Sequence, residues 1–502
     1  MSQVTKTLTV VSHYQRYWVP ALVLLLSLAV YGINYTSPKS MFWDENYHIA
    51  SAEKYLDGVL FMELHPPLGK MLIAFGEKAL GVNDHLDKSA LTRTDYVKGD
   101  MLPDGMSFAG FRLASTFLMA FSALLFYGII WRIIRRTWVA AAFTSLLIFD
   151  NALVVHSRAA MLEGIQLFFI LLALYYFTRV ITSGEPIRLK HYALLGVFIG
   201  LVVSIKFNGA VLLLLFVMLY GVDQWDNVRR FDWAALFKRL AVTVPAGVLP
   251  LLAVFASILY LHIALGDEVV NNKTYKASDE YLAEVRAGRS HSLPAFYHGF
   301  KDNLRYMLEY SDGVARLDIC KPGENGSYAI GWPLGNKSIN YRWDKNTVDG
   351  QAQVRYIQII ANPIVWFSVV VGIVLSLGLA LSRFVYGQQE KDPRLFYWVM
   401  AFTTLYVSYM IAILQIERVM YLYHYLVPLV FGMLNLAMIF NYIFREEILA
   451  GNRHTMVNVG LFVLLVIGVF AYFAPFSYGL PMTEDQFEAR NWFHLWQMNV
   501  VR

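Results

Sequence analysis

The residues best suited to chemistry are gathered between Met41 and Lys70. The stretch opens Met41-Phe42-Trp43-Asp44-Glu45-Asn46-Tyr47-His48 and closes His65-Pro66-Pro67-Leu68-Gly69-Lys70. Adjacent carboxylates followed by histidine and lysine suit acid–base work beside a phosphate. One carboxylate takes a proton from a hydroxyl, and cations steady the anion that departs. Asp44 and Glu45 follow at once on the first long apolar segment, so they sit where the chain leaves a membrane. A solvated loop would carry the same residue types, and the pair alone does not separate the two readings.

Further candidates lie downstream. Arg112 opens an apolar helix in Phe111-Arg112-Leu113-Ala114-Ser115. It is either a snorkelling anchor or a phosphate ligand. His156-Ser157-Arg158 marks a short turn, and Glu163 stands as an unpaired carboxylate at membrane depth, where carboxylates are costly and usually face a cavity or a partner. Lys206 interrupts an apolar run at Ser204-Ile205-Lys206-Phe207. Arg418 precedes Leu422-Tyr423-His424-Tyr425-Leu426, which reads either as an aromatic belt or as donors lining a headgroup site.

These residues must be positioned by membrane helices. The chain is 57% hydrophobic and 16% charged, against about 25% charged in ordinary soluble domains. That identifies an all-α polytopic membrane protein. Apolar segments near 18–35, 108–131, 138–149, 153–178, 191–203, 207–222, 240–265, 356–382, 395–414, 420–444 and 456–474 predict eleven spans. Lys6 and Arg16 precede the first, which has no small-residue cleavage site and reads as a retained helix. Pro66-Pro67 predicts a helix over Leu68–Leu80.

Alternating the loops collects Arg132, Arg135, Arg136, Arg179, Arg188, Arg229, Arg230, Arg383 and Arg445 on the side of the N-terminus, which the positive-inside rule makes cytoplasmic. The other side receives 36–107, a loop of 266–355 and the tail from 475. The expected division is an N-terminal membrane module (1–265) whose first outer loop carries the site, an outer region (266–355) and a C-terminal membrane module (356–502). The polar piece from Asn83 to Asp104 reads as plain surface. Cys320 is the only cysteine, so no disulfide forms within the chain.

On this topology Asp44, Glu45, His65, Lys70, Arg112, Arg158, Lys206, Arg418 and His424 share one face of the membrane. A lipid-linked sugar phosphate supplies the substrate such a set needs. No P-loop or dinucleotide fingerprint is present, and no nucleic-acid partner is expected. A transporter would show paired repeats with broken helices, which are absent from the sequence. A flippase or ligase for lipid-linked glycans would use similar cations without needing adjacent carboxylates beside a His-Pro-Pro turn.

The chain resembles the protein O-mannosyltransferase family of GT-C membrane glycosyltransferases. The resemblance rests on Asp44-Glu45, His65-Pro66-Pro67-Leu68-Gly69-Lys70, Phe111-Arg112-Leu113-Ala114-Ser115, Ser157-Arg158 through Leu162-Glu163, Ser204-Ile205-Lys206-Phe207, Trp332-Pro333-Leu334 and Leu422-Tyr423-His424-Tyr425-Leu426, in family order. It implies a GT-C fold with about eleven transmembrane helices. It also implies inverting transfer of a sugar, mannose in this family, from a polyprenyl-phosphate donor to a protein Ser or Thr on the outer face. Asp44 would be the base with Glu45 beside it. His65, Lys70, Arg112, Arg158, Glu163, Lys206, Arg418, Tyr423 and His424 would bind the donor, with no metal and no cofactor beyond the donor itself. Expected partners are the donor, an acceptor protein or glycolipid, membrane lipids and the secretion machinery, in an inner (plasma) membrane. The outer loop is too short for the MIR insert of eukaryotic members, and Glu163 stands where the family has Asp. The alternative is a glycolipid transferase similar to the lipid A aminoarabinose transferases.

Overall fold

The computed structural model describes residues 3–348 and 351–501, with side chains from Tyr17 onward apart from 311, 312 and 348. The side chains of Lys6 and Arg16, which entered the charge argument, lie outside the described residues. The chain is mainly helical. Among the described residues, seven helices are long and apolar enough to cross a membrane, or eight if the bent pair Thr137–Ile148 and Asn151–Ser157 is one span. Three further expected segments are apolar helices: Leu189–Val203, Phe207–Asp223 and the Tyr17–Gly32 part of helix Gln3–Gly32. By length and composition, seven or eight of the eleven expected spans qualify among the described residues.

The linear division expected from sequence follows chain order, and the compact units do not. One unit comprises Met1–Ile33, Met119–His156 and Asp318–Arg502; the other comprises Asn34–Leu118 and Ser157–Leu317.

The second unit carries the Met41–Lys70 stretch. Helix Glu45–Leu56 is too polar to register as an apolar segment, yet it buries Ile49, Ala50 and Ala52 completely. Helix Leu68–Leu80 forms where Pro66-Pro67 placed it and ends on Gly81, whose left-handed φ of 59° suits a C-cap. It packs closely against helix Ala109–Ile134. A Cβ on Gly110 would collide with the backbone and carboxylate of Glu77, so only glycine permits that approach. The segment from Asn83 to Asp104, expected as plain surface, is instead locked down. Asn83 Nδ2 donates to Glu77 Oε1 (2.8 Å) and to the Ser107 carbonyl (2.7 Å), while Ser107 N–H donates back to Asn83 Oδ1 (2.8 Å). Leu91 and Val97 are fully buried, so this loop contributes core as well as surface. Two helices, Asp279–Arg286 and Leu293–Asp312, start behind the side-chain caps Ser278 and Ser292. Their apolar faces pack with Leu259 and Ile263 of helix Trp233–Leu265.

In the first unit the expected turn at 150–157 is a short helix, bent by 60° from its predecessor. Asp150 caps the bend: it accepts from Leu153 N–H at 2.9 Å and from Trp366 Nε1 at 2.8 Å. The span expected from 356 begins at Pro363, behind an Asn362 cap. Residues Gln351–Ile359 are a strand instead, paired antiparallel with Ile339–Val348, and the C-terminal Pro481–Met482 adds to its other edge. Asn435 ties three membrane helices together. It donates to Val399 O (3.1 Å) and Thr403 Oγ1 (2.8 Å) and accepts from Ser376 Oγ (2.9 Å). Such polar glue suits helices in a medium that offers no water.

Candidate active site

Trp43 adopts a left-handed φ of 52°, unusual for a bulky side chain, and this turns the chain into helix Glu45–Leu56. Asp44 stands at the helix N-cap, half-buried, with its carbonyl accepting Tyr47 N–H (3.0 Å) and His48 N–H (3.2 Å). Glu45 points the other way and is fully buried. Its Oε1 accepts from Arg112 Nε (2.7 Å) and Ala160 N–H (2.8 Å); its Oε2 accepts from Arg112 Nη2 (2.8 Å) and Phe42 N–H (3.1 Å). A carboxylate offers about four acceptor positions, and all are taken. Glu45 therefore has no acceptor position left over in this arrangement.

Arg112 is saturated in the same way. Its remaining donors go to the carbonyls of Thr36 (3.0 Å), Pro38 (2.8 Å) and Ser40 (2.9 Å), so all five N–H groups are spent inside the protein. The guanidinium also lies over the rings of Phe42 and Phe108. It has no N–H left for a phosphate; it clamps the segment that leads into helix Glu45–Leu56. Arg158 works on the same segment, with Nη2 donating to Asn34 O at 2.6 Å.

His48 completes the frame. Its Nδ1 lies 2.6 Å from the Ala160 carbonyl. A carbonyl only accepts, so Nδ1 carries the proton. Burial, then Lys70, lowers its pKa to about 3, and the imidazole is neutral. Ala160 thus gives its N–H to Glu45 and its C=O to His48, one turn apart on the same helix.

A polar cluster lies beside this frame. Glu163 is not the unpaired carboxylate expected from sequence: Lys206 Nζ donates to its Oε1 at 2.5 Å. Lys70 pairs with Glu63, which also accepts from Ser51 Oγ. Burial would push the Glu63 carboxyl up, but Lys70 and Ser51 hold it below its ordinary value. His65 is within electrostatic reach of both lysines. Burial first, then Lys206 and Lys70, holds its imidazole well below the usual range, so it is neutral. The result is two neutral ion pairs flanking two neutral imidazoles. Each ammonium carries three donors, and one of them is turned to its carboxylate. Glu63 and His48 were not assigned from sequence. Their residue types inside the Met41–Lys70 stretch were the available signal, but their partners include Ala160, 112 positions away from His48.

Arg418, Tyr423 and His424 belong to the first unit. Tyr423 and His424 are buried rather than forming a belt toward lipid. Tyr423 stacks on His156 (centroids 4.9 Å) and on His424 (4.5 Å), and His424 stacks on Trp332 (6.1 Å). His156 Nδ1 lies 2.8 Å from Tyr341 Oη, and Trp332 Nε1 donates to Ser327 Oγ (2.9 Å). The Trp-Pro-Leu and Leu-Tyr-His-Tyr-Leu motifs therefore form one aromatic column. Arg418 is half-buried beside it in sequence. Among the described residues no group of three or more His, Cys, Asp or Glu is placed to hold a metal ion.

Residues 21–265 match the family model described as dolichyl-phosphate-mannose-protein mannosyltransferase, and residues 305–496 match that of the C-terminal four TMM region of protein-O-mannosyltransferase. The chain is similar to the polyprenol-phosphate-mannose–protein mannosyltransferase of Mycolicibacterium smegmatis, at 25% identity over 95% of this chain and 92% of that protein. The protein of the same name from Mycobacterium tuberculosis is 23% identical over 86% of this chain and 81% of its own. Among solved structures, that of the S. cerevisiae protein O-mannosyltransferase Pmt1-Pmt2 complex bound to the sugar donor superposes with a TM-score of 0.79. That likeness covers 96% of this chain and 92% of the other at 16% identity, and it shows a shared fold.

Proposed function

Because this chain belongs to the protein O-mannosyltransferase family, and is a multi-pass membrane glycosyltransferase that depends on polyprenyl-phosphate mannose, we propose that it mannosylates Ser or Thr hydroxyls of proteins on the outer face of an inner (plasma) membrane. The carrying observation is the division of labour between neighbours. Glu45 is saturated by Arg112 and by the backbone of Ala160 and Phe42, while half-buried Asp44 stands at the helix N-cap.

In this reading Asp44 accepts the proton of the acceptor hydroxyl. The oxygen attacks the anomeric carbon from the side opposite the phosphate. The carbon–oxygen bond to phosphate breaks, and polyprenyl phosphate leaves with the bonding pair, so the anomeric centre inverts. Lys206 and Lys70 stabilise the charge that grows on the leaving phosphate, and neutral His65 donates to it. Glu163 and Glu63 hold those ammonium groups in place. We retain donor binding as the proposal for Arg158, Arg418, Tyr423 and His424, and association with the secretion machinery as a proposal for the acceptor supply.

The test is transfer by the purified chain from labelled polyprenyl-phosphate mannose. Label released from a Thr-containing polypeptide by alkaline elimination supports the proposal. Label found only in glycolipid overturns the protein acceptor in favour of the glycolipid-transferase alternative.

A further inference from the structure

We infer that Tyr47 and Tyr96 form a platform for the acceptor, receiving an extended, proline-bearing stretch of polypeptide while its Ser or Thr hydroxyl meets Asp44. The inference rests on the protein-acceptor reading above and adds a preference for what flanks the modified residue.

Tyr47 lies one helical turn after Asp44, and its N–H donates to the Asp44 carbonyl at 3.0 Å. Its ring meets that of Tyr96 edge to face, with centroids 5.0 Å apart and planes at 69°. Both rings are nearly half exposed, at 44% and 45%, in a segment that follows a membrane helix rather than lying within one. The loop bearing Tyr96 does not need that ring to stay in place. Val97 is fully buried, its N–H donates to Asn46 O (3.1 Å), and Asn46 Nδ2 donates back to Val97 O (2.5 Å). On the other flank Asp95 takes ion pairs from Lys54 and Lys273 and a hydrogen bond from Tyr275 Oη (2.5 Å). Thr94 Oγ1 closes the turn with Tyr96 O (3.0 Å) and Tyr96 N–H (3.1 Å). Two aromatic faces are thus held toward solvent on a frame that other groups already secure.

The spacing fits a peptide. Three residues of helix advance about 4.5 Å, and an extended or polyproline chain advances about 3.1–3.4 Å per residue. The platform therefore falls beside the acceptor residue one or two positions from the reacting hydroxyl. Exposed aromatic rings recognise proline rings and the pre-extended backbone that proline imposes, at little ordering cost.

The test uses the full chain in detergent, labelled polyprenyl-phosphate mannose, and two peptides with a single Thr. One peptide carries proline at the positions one and two residues away, and the other carries glycine there. The wild type is expected to favour the proline peptide in kcat/KM. Tyr47→Ala and Tyr96→Ala should each raise KM for that peptide about tenfold, the scale of one aromatic contact, with a smaller fall in kcat and loss of the preference. Tyr47→Phe, which keeps the ring, should restore it. Equal use of both peptides by the wild type, or an intact preference in both alanine variants, overturns the platform while leaving protein mannosylation standing. A wild type that labels glycolipid and no peptide overturns both, and the two failures are told apart by the product.

Discussion

Arg112 grips both carboxylate oxygens of Glu45, Nε to Oε1 at 2.7 Å and Nη2 to Oε2 at 2.8 Å, and neither side chain is exposed to solvent. The pair joins the helix that carries the candidate base to the first turn of helix Ala109–Ile134. Arg112→Ala would leave a buried carboxylate without its partner, a change that costs about 3–5 kcal/mol. The expected outcome is a lower thermal unfolding midpoint in detergent and a poor folded yield. A variant as stable as wild type that has lost only donor affinity would restore Arg112 as a phosphate ligand.

Asp44→Asn keeps size and hydrogen bonding but removes the proton acceptor. Loss of a general base typically slows a reaction about 10²–10⁴-fold. The variant should fold, bind the lipid-linked sugar and transfer it at that reduced rate, measured by single-turnover transfer beside donor binding on one preparation. Near-normal transfer would move the role away from Asp44.

Lys206 and Glu163 should behave as a coupled pair, since their side chains meet at 2.5 Å with little exposure. A double-mutant cycle of Glu163→Gln and Lys206→Met is expected to show a coupling of about 0.5–3 kcal/mol in stability. Lys206→Met should also weaken donor binding more than Glu163→Gln does. Additive effects on stability would mean the pair is not formed, and equal donor affinities would remove Lys206 from the phosphate.

Glu53 and Glu77 are both buried and share Lys88, at 3.0 and 3.9 Å. Burial, opposed in part by Lys88, raises the Glu53 pKa from 4.5 to about 7, and burial also raises that of Glu77. A carboxyl with a raised folded pKa binds more protons in the folded state. Its contribution is therefore full below about 4.5, declines as pH rises, and is gone above about 7. Stability should fall across that window by a few kcal/mol at most, at ~1.4 kcal/mol per unit of pKa difference. Glu53→Gln should flatten the profile in thermal unfolding measured against pH, and an unchanged slope would remove Glu53 as its source.

Orientation is testable without activity. Reporter fusions after Asp104 and Pro294 should read the outer side, and fusions near Arg136 and Arg230 the cytoplasm. A cytoplasmic signal at Pro294 would reverse the sidedness proposed for the reaction.

Much of the site was visible as residue types before any fold was known. His65 through Lys70 marked the turn and the helix that follows, because Pro66-Pro67 acts on its own neighbours and needs no distant partner. The membrane character was legible for a similar reason. Apolar runs report local burial in lipid. Helix Glu45–Leu56 was not legible, since its buried face is short and interleaved with charges that find partners elsewhere. The strand at Gln351–Ile359 was absorbed into the next apolar span because short apolar runs do not distinguish strand from helix.

Residue types and local order are what the sequence by itself determined: a membrane protein, a carboxylate pair at a membrane exit, and a set of cations whose motifs run in the order of one family. Which carboxylate is held by Arg112 was decided only by tertiary structure. Asp44 and Glu45 are chemically alike and adjacent, so no local rule separates them. They differ because helix geometry sends one toward Arg112 and Ala160, 67 and 115 residues away in the chain, and leaves the other at the N-cap. Lys206 and Glu163 illustrate the same limit. Glu163 looked like an unpaired carboxylate at membrane depth and Lys206 like a cation at a turn; burying an isolated charge is so costly that a partner was to be expected, but its identity depends on which helices the fold sets side by side.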